Sequence, residues 1–295
     1  MTLIEFQDRY GTEEECREYM YAKRWPEGFV CPKCGHGECF NIKSRNLYQC
    51  KACNHQASVT AGTIMDKTRT PLRKWFLAIY LFTADKRGVS ALSLKKQLGI
   101  AYNTAWTMSH KIRLAMGKRD ENYALGGVVE LDEAFFGAPT EGGKRGRGTE
   151  KTAVMVSVSL TEDGKLLFSK MKVVETVDGE TVKMFAEQAI SKGSEIRTDG
   201  LPVYSKLDEE GYTLVRKAYD PKNQPEHLHW THIIVSNAKA FIDGTFHGLV
   251  SKHLQRYPDE FCYRLNRRRL STSFFSNLLC ACIQFGRISG YEVSG

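Results

Sequence analysis

The stretch VVELDEAFFG at residues 128–137 decides the fold of the longest part of this chain. Its residues are apolar and β-prone, and glycines stand on both sides, which predicts a strand. Side chains alternate between the faces of a strand, so Asp132 shares a face with Glu130 and Ala134, while Glu133 points the other way. A carboxylate inside an apolar strand is costly unless a partner, a hydrogen bond or a metal stabilises it. Asp132 is therefore either a metal or catalytic group or an acid capped at a strand end.

A second acidic strand favours the metal. The segment EIRTDG at residues 195–200 is a short strand that ends in Asp199. Two acids near the ends of neighbouring strands can share divalent ions, and hard oxygen ligands suit Mg²⁺ or Mn²⁺. Two such ions can clamp the attacking and leaving oxygens of an in-line phosphoryl displacement. A third ligand normally comes from a later helix.

The segments around these acids predict the rest of a sheet. Residues 152–160 and 166–174 form two more strands joined by an Asp-Gly turn. Residues 181–190 have helical spacing, and residues 212–218 predict a fifth strand. Three strands joined by short turns, followed by alternating strand and helix, indicate an α/β unit built around a mixed sheet.

Four cysteines near the N-terminus have the spacing of a metal site. Cys31 and Cys34 form one CxxC pair, and Cys50 and Cys53 form another after fifteen intervening residues. This is the pattern of a four-thiolate zinc site, in which two knuckles complete a tetrahedron. Such a site is closed and structural, and a zinc ribbon over residues 29–64 is too small to fold without its metal.

The segment 65–122 reads as three helices. Pro71 begins the first, Ser90 caps the second, and Gly99 provides the turn before a third helix at 102–116. Two helices joined by a short turn with glycine are typical of a helix-turn-helix, whose second helix would be the recognition helix. A plain three-helix packing unit is the alternative.

Polar and basic side chains that we expect to contact DNA fall in three places. They lie in the helix-turn-helix, in a glycine-rich basic loop, and in an arginine block near the C-terminus; a solvated loop and a solvated helix face are the alternatives for the last two. The residues are Lys95, Lys96, Asn103, Thr104, Lys111 and Arg113, then Lys144, Arg145 and Arg147, then Arg264, Arg267 and Arg268.

The totals agree with a nucleic-acid partner. The chain has 295 residues, of which 42% are hydrophobic, and a formal net charge of +8, which favours an anionic partner. No apolar run approaches a membrane span, and the N-terminus lacks the pattern of a secretory signal, so we expect a cytoplasmic protein. Nine cysteines in the cytosol are expected to bind metal or remain free thiols.

Taken in order, the motifs resemble a known family, that of the IS1595 (ISXO2-like) insertion-sequence transposases. The resemblance covers roughly residues 15–275, and its motifs are specific in combination. Besides the ribbon and the helices they are LDEAFFG at 131–137, KRGRGTEKT at 144–152, RTDG at 197–200, SNAKAF at 236–241, GTFHG at 244–248 and DEFCYRLNRR at 259–268.

The resemblance implies a multidomain α+β and α/β protein with a ribonuclease-H-like catalytic domain. It implies metal-dependent DNA cleavage and strand transfer at transposon ends. The expected divisions are a helical lead-in at 1–28, the zinc ribbon at 29–64, the helix-turn-helix region at 65–122, the catalytic domain at 123–275 and a C-terminal tail at 276–295.

The resemblance also implies a catalytic triad, in which Asp132 and Asp199 match the first two acids. The third position departs from the usual glutamate. His232 stands there, seven residues before Lys239, which matches a lysine expected to hold a phosphate. Some subgroups of the family carry His or Asn at this position, so Asn237 is the alternative ligand, and a packing histidine is a further one.

The expected function is therefore that of a DNA transposase with structural Zn²⁺ and catalytic Mg²⁺ or Mn²⁺. Its partner is double-stranded DNA, both transposon ends and target, in the nucleoid, and two ends require a homodimer or higher assembly. Two alternatives remain. One is a non-catalytic DNA-binding regulator built on the ribbon and the helix-turn-helix, and the other is a related metal-dependent nuclease.

Overall fold

A computed structural model describes residues 1–137, 150–218, 220, 222, 227–247, 249–270, 272–289 and 292–293. The chain divides into two compact units. The first comprises residues 1–116 together with 270–295, and the second comprises residues 117–269.

The first unit begins with two helices and a small sheet. Helices α1 (Leu3–Tyr10) and α2 (Glu13–Arg24) each start with a capping box, in which a threonine hydroxyl accepts a backbone N–H and a glutamate reaches back to the threonine N–H. Strands β1 (Cys39–Ile42), β2 (Leu47–Cys50) and β3 (Gln56–Ala57) then pair antiparallel in that order.

The helices that follow in this unit are α3 (Leu72–Ala84), α4 (Ala91–Leu98), α5 (Tyr102–Asp120), whose last turn belongs to the second unit, and α9 (Phe274–Gln284). Helices α3 to α5 lie where the sequence predicts them, with Gly99 in a left-handed turn between α4 and α5. Helix α9 differs from the expected tail, because its sequence is apolar and buries six side chains within the first unit. Burying that surface stabilises the helix in a way that a solvated tail could not.

The second unit is built on a mixed sheet. Among the described residues its strands are β4 (Val128–Phe136), β5 (Thr152–Leu160), β6 (Leu166–Val174), β7 (Glu195–Thr198) and β8 (Thr213–Arg216). They lie in the order β6-β5-β4-β7-β8, with β4 antiparallel to β5 and parallel to β7. This is the predicted ribonuclease-H-like arrangement.

Helices cover both faces of that sheet. Helix α6 (Gly179–Ala189) packs on the face that carries Val129 and Leu131. Helices α7 (His229–Thr245) and α8 (Arg256–Asn266) pack on the other face, which carries Ala134 and Phe136. The alternation of side chains along β4 therefore assigns its residues to two separate cores.

Side chains at and beside α8 cover the edge strand β6. The Gln255 amide accepts the Val173 N–H at 2.7 Å, and the Asn266 amide both accepts the Ser169 N–H and donates to the Ser169 carbonyl. The Arg268 guanidinium donates to two carbonyls at the start of β6. The unpaired N–H and C=O groups of an edge strand can form hydrogen bonds with a strand of another chain and so promote aggregation. The side chains of Gln255, Asn266 and Arg268 form hydrogen bonds with several of these groups.

In the part of the chain that the structure describes, no helix is both long enough and apolar enough to cross a membrane.

Candidate active site

Asp132 lies in the middle of β4 and faces helix α7. Its side chain is 20% exposed, and its Oδ1 accepts the N–H of Glu133 at 2.8 Å. Glu130 shares that face two residues earlier, whereas Glu133 lies on the α6 face. Asp132 therefore combines an apolar strand with an opening to solvent, which a ligand-binding carboxylate requires.

Asp199 follows β7, the parallel neighbour of β4. The register pairs Val128 with Glu195 and Glu130 with Arg197. Continued by two residues, it places Asp199 beside Asp132, and adjacent strands lie about 4.8 Å apart. The Asp199 carboxylate accepts the N–H of Leu201, two residues further on. The continued register thus places the two acids on neighbouring strands, at the point where β7 ends.

His232, in the first turn of α7, approaches the same carboxylate. Its Nε2 lies 3.9 Å from Oδ2 of Asp132, and its side chain is 39% exposed. Burial lowers the pKa of His232 below its ordinary value, and the charges of neighbouring histidines act in the same direction. The lowered pKa favours the neutral imidazole, which is the form that binds metals.

A buried carboxylate determines where α7 begins. Glu130 is 2% exposed, and its Oε2 accepts both the N–H and the hydroxyl of Thr231, at 2.7 and 2.8 Å. Thr231 is the third residue of α7, where backbone N–H groups have no partner within the helix. The partial positive charge of a helix N-terminus also favours this carboxylate. Glu130 thereby joins α7 to β4 next to both Asp132 and His232.

Helical phase separates the two candidates for the third ligand. Lys239 lies two turns after His232, on the same side of α7, and its Nζ stands 5.5 Å from the ring centroid of Phe136 at the end of β4. Asn237 is exposed and lies about 140° around the helix from His232. The geometry favours His232 with Lys239 over Asn237.

Two further side chains beside the acids were not predicted from the sequence. The hydroxyl of Tyr204, which is fully buried, donates to Glu133 at 2.5 Å. Burial raises the pKa of Tyr204, and the charges of Glu133, Asp132 and Asp199 raise it further. His227, also buried, has its Nε2 2.9 Å from the carbonyl of Thr198. The signal for His227 was its place just before the run His229-Trp230-Thr231-His232; we find none for Tyr204.

The four cysteines form a compact cluster. The ligand atoms of these four cysteines all lie within 4.8 Å of one another. Among the described residues, no other group of three or more His, Cys, Asp or Glu side chains meets this criterion. The Sγ atoms of Cys31 and Cys53 lie 3.6 Å apart, as do those of Cys34 and Cys50. Tetrahedral Zn–S bonds of about 2.3 Å require S–S distances of about 3.8 Å, so the cluster fits zinc.

The predicted DNA contacts of the helical region divide into exposed and internal groups. Lys95, Lys96 and Asn103 are exposed, and Thr104 is half-buried. The Lys111 ammonium is also half-buried and donates to the carbonyl of Ile64 at 3.0 Å. The first four side chains keep the accessibility that a DNA contact needs.

The structure contradicts the predicted contact of Arg113 with DNA. Arg113 is 2% exposed, donates to the carbonyl of Val89 and stacks on the ring of Phe82. It lies four and eight residues after the buried Ser109 and Ala105, and therefore on the inner side of α5. Its predicted contact with DNA is wrong for this structure, because the guanidinium belongs to the core of the first unit.

The arginine block is engaged within the second unit. Arg264 forms an ion pair with the fully buried Glu260 at 2.7 Å. Arg267 pairs with Asp120 at 2.7 Å, and Arg268 donates to carbonyls of β6. These contacts give the three guanidinium groups structural partners, while their contact with DNA stays a prediction. Lys144, Arg145 and Arg147 lie outside the described residues.

Comparison with known families finds two matching domains. The model of the transposase zinc-ribbon domain matches residues 11–56, and that of the ISXO2-like transposase domain matches residues 124–266. Both matched stretches are similar to domains of IS1595 transposases. The transposase match contains Asp132, Asp199 and His232, and the ribbon match contains the four cysteines.

Individual proteins give further similarities. An uncharacterized protein in the transposable element ISH50 of Halobacterium salinarum is 24% identical over 219 residues, covering 68% of this chain and 72% of that protein. Two solved structures also match. The Mos1 transposase paired-end complex with left transposon end is 11% identical, with a TM-score of 0.25 over 69% of this chain and 78% of that chain. The Mos1 mariner paired end complex with Mn is 12% identical, with a TM-score of 0.25 over 72% and 79%. The fold assignment rests on the order and pairing of the strands in the sheet.

Proposed function

We propose that this chain is a DNA transposase that binds the ends of its element and cuts and joins DNA with divalent metal ions. One observation carries the proposal. Asp199 follows the strand that runs parallel to the one carrying Asp132, and His232 approaches Asp132 to 3.9 Å. Two carboxylates and a neutral imidazole form a set of ligands that suits Mn²⁺. The set suits Mg²⁺ less well, because Mg²⁺ prefers oxygen ligands to nitrogen.

In this proposal Asp132, Asp199 and His232 hold the metal ions. Bound metal would activate water or a 3′-hydroxyl and stabilise the charge of an in-line phosphoryl transfer. Lys239 holds a phosphate of the transposon end, two turns of α7 away from His232. Glu130 keeps α7 against β4, so that the imidazole and the carboxylate remain close enough to act on one phosphodiester.

The first unit would supply DNA binding. Zn²⁺ held by the four cysteines fixes the ribbon, and α4 with α5 forms the helix-turn-helix. The exposed Lys95, Lys96 and Asn103 are the strongest candidates for contact with the transposon end. Joining two ends requires two active sites, so we propose a homodimer or a higher assembly on DNA in the nucleoid.

Two other functions share parts of this description. A DNA-binding regulator would use the ribbon and the helices and would not need Asp132 or Asp199. A metal-dependent nuclease would cut the same DNA without joining it to a target. A strand-transfer assay with a target plasmid distinguishes the nuclease from the transposase, because both would cut.

The test is cleavage of a labelled duplex that carries the element's terminal repeat, with Mg²⁺ or Mn²⁺. We expect the wild-type protein to cut it, and Asp132→Ala, Asp199→Ala and His232→Ala to bind it without cutting. Asn237→Ala is the matched control on the same helix and should cut normally. Equal cleavage by all four variants would overturn the catalytic assignment, and end binding without cleavage by the wild type would favour the regulator.

A further inference from the structure

A basic groove lies at the end of the sheet where β4 ends, β5 begins and β6 ends. Its volume is about 940 Å³, and three lysines line it, namely Lys151, Lys172 and Lys252. One acid, Glu175, is among the described lining residues. The groove therefore combines concave shape with a local excess of positive charge.

The walls of this groove are suited to a chain with an anionic backbone and apolar edges. Lys172 and Lys252 are exposed, and Lys151 is half-buried, so ammonium groups lie at different depths. Phe135 and Val174 provide apolar surface between them. A polyanion is attracted to a concave surface at which several positive charges are concentrated. Lysine ammoniums act on phosphates as point charges and read no base sequence.

A line of cations joins the groove to the candidate active site. Lys239 shares one side of α7 with His232, about 10 Å along the helix axis. Its ammonium lies near Phe136, whose strand partner Thr152 lines the groove. Burial lowers the pKa of Lys239, the charge of Lys151 lowers it further, and the charge of Asp243 opposes this.

We propose that this groove, defined by Lys151, Lys172 and Lys252, holds the phosphodiester backbone of the DNA strand that leaves the active site. The inference rests on the proposed function, since it takes the reacting phosphate to lie at Asp132 and Asp199. The strand runs past Lys239 and over the ends of β4 and β5 into the groove. The contact is independent of sequence, so it serves flanking or target DNA of any composition.

The test compares two double charge reversals in the full-length protein. The groove variant is Lys172→Glu with Lys252→Glu. The control is Lys165→Glu with Lys192→Glu, which changes the net charge equally on exposed lysines of the same unit, one in the turn before β6 and one before β7, at the other end of the sheet. Binding of a fluorescein-labelled terminal-repeat duplex that extends beyond the element on its flanking side is measured by anisotropy over a range of salt concentrations, without added Mg²⁺ or Mn²⁺.

We expect the groove variant to bind at least about tenfold more weakly near 0.1 M salt, and the slope of log affinity against log salt to become shallower by about two. The control should stay close to the wild type in both quantities. A groove variant with the wild-type slope and affinity would overturn the proposal. Thermal melting of both variants checks folding, and Lys172→Gln with Lys252→Gln replaces the groove variant if the reversal unfolds it.

Cleavage in Mn²⁺ separates failure of the groove from failure of the proposed function. If the wild type cuts the duplex and the groove variant binds and cuts like the control, the groove proposal alone is wrong. If the groove variant shows the predicted loss of binding while the wild type cuts no duplex, the groove binds DNA backbone and the catalytic proposal is wrong.

Discussion

Glu130 shows how one buried charge can organise this site. A carboxylate is rarely found buried unless strong hydrogen bonds satisfy it. Here one oxygen accepts the N–H and the hydroxyl of Thr231, at the end of a helix whose dipole favours negative charge. Since Thr231 directly precedes His232, the same contact that stabilises the second unit also sets the position of the imidazole.

Replacing Glu130 therefore tests both effects. We expect Glu130→Ala to lower the free energy of unfolding by about 3 kcal/mol, because two charge-assisted hydrogen bonds disappear and the Thr231 donors stay buried. Glu130→Gln keeps an acceptor and should recover part of that loss. Urea unfolding measures both variants, and Glu180→Ala, an exposed acid in the first turn of α6, is the control. Equal stability of Glu130→Ala and Glu180→Ala would contradict this account.

The contact between Tyr204 and Glu133 supports the site from the opposite face of β4. We expect a double-mutant cycle of Tyr204→Phe and Glu133→Gln to give a coupling energy of about 1.5 to 3 kcal/mol in urea unfolding, since the hydroxyl donates to a charged acceptor away from bulk water. A coupling energy indistinguishable from zero would show that the hydrogen bond contributes nothing to stability.

Among the residues of the candidate site, the sequence indicated the acids but not the side chains that form hydrogen bonds with Glu130 and Glu133. Asp132 and Asp199 are the predicted metal ligands because each interrupts or ends a strand. The partners of Glu130 and Glu133 could not be found, because Thr231 and Tyr204 are 101 and 71 residues away along the chain. Only the packing of α7 and of the segment at 202–207 brings them together.

At the scale of elements, the exposed edge of β6 is covered by side chains rather than by another strand. Asn266 acts like a short strand, since one amide serves both the N–H and the carbonyl of Ser169. Its amide nitrogen also lies 2.7 Å from the hydroxyl of Tyr123. The edge is thereby joined to residues near the start of the second unit.

This arrangement predicts a cost for Asn266→Ala. We expect a loss of about 2 kcal/mol in the free energy of unfolding, because the amide's buried partners lose their hydrogen bonds, together with faster aggregation through the uncovered edge. Chemical unfolding and light scattering measure the two effects. Asn122→Ala, at an exposed turn, is the control. An Asn266→Ala protein as stable and as soluble as this control would contradict the proposed role of the amide.

The arginine block shows where reading an element from sequence has its limits. A cluster of positive charges predicts a phosphate-binding surface, whereas in the structure Arg264 forms an ion pair with the buried Glu260 of the same helix. The sequence did not indicate that Arg268 would cover β6, because that contact depends on how α8 lies against the sheet. Charge composition gives the sign of a partner, whereas tertiary packing decides which charges are accessible.

For the whole molecule, the sequence predicted the order of the segments. It did not predict that the C-terminal segment, residues 270–295, belongs to the first unit. Cysteine spacing, helical periodicity and strand alternation predicted the ribbon, the three helices and the mixed sheet. Helix α9 was missed because its apolar residues gain stability from packing on α1, α2 and α3, which lie far away in sequence. Local patterns do not contain such long-range pairings.

The ribbon gives a prediction about metal. We expect one zinc ion per chain by elemental analysis of the purified protein, and none in Cys31→Ser with Cys34→Ser. Limited proteolysis should then cut the variant within residues 31–53, because the ribbon has too small a core to fold without its metal. Cys16→Ser, a cysteine outside the cluster, should keep its zinc and its resistance. Zinc retained in full by the double variant would contradict a four-thiolate site.

The central proposal is that Asp132, Asp199 and His232 form one metal centre, beside β4 at the point where β7 ends. Anomalous diffraction from crystals of the protein grown with Mn²⁺ tests this most directly, with the Asp132→Ala protein as the control. We predict a manganese peak within bonding distance of both carboxylates and of the imidazole in the wild type. This peak should be absent in the Asp132→Ala protein. Manganese bound elsewhere, with no peak between Asp132 and Asp199, would contradict the proposal.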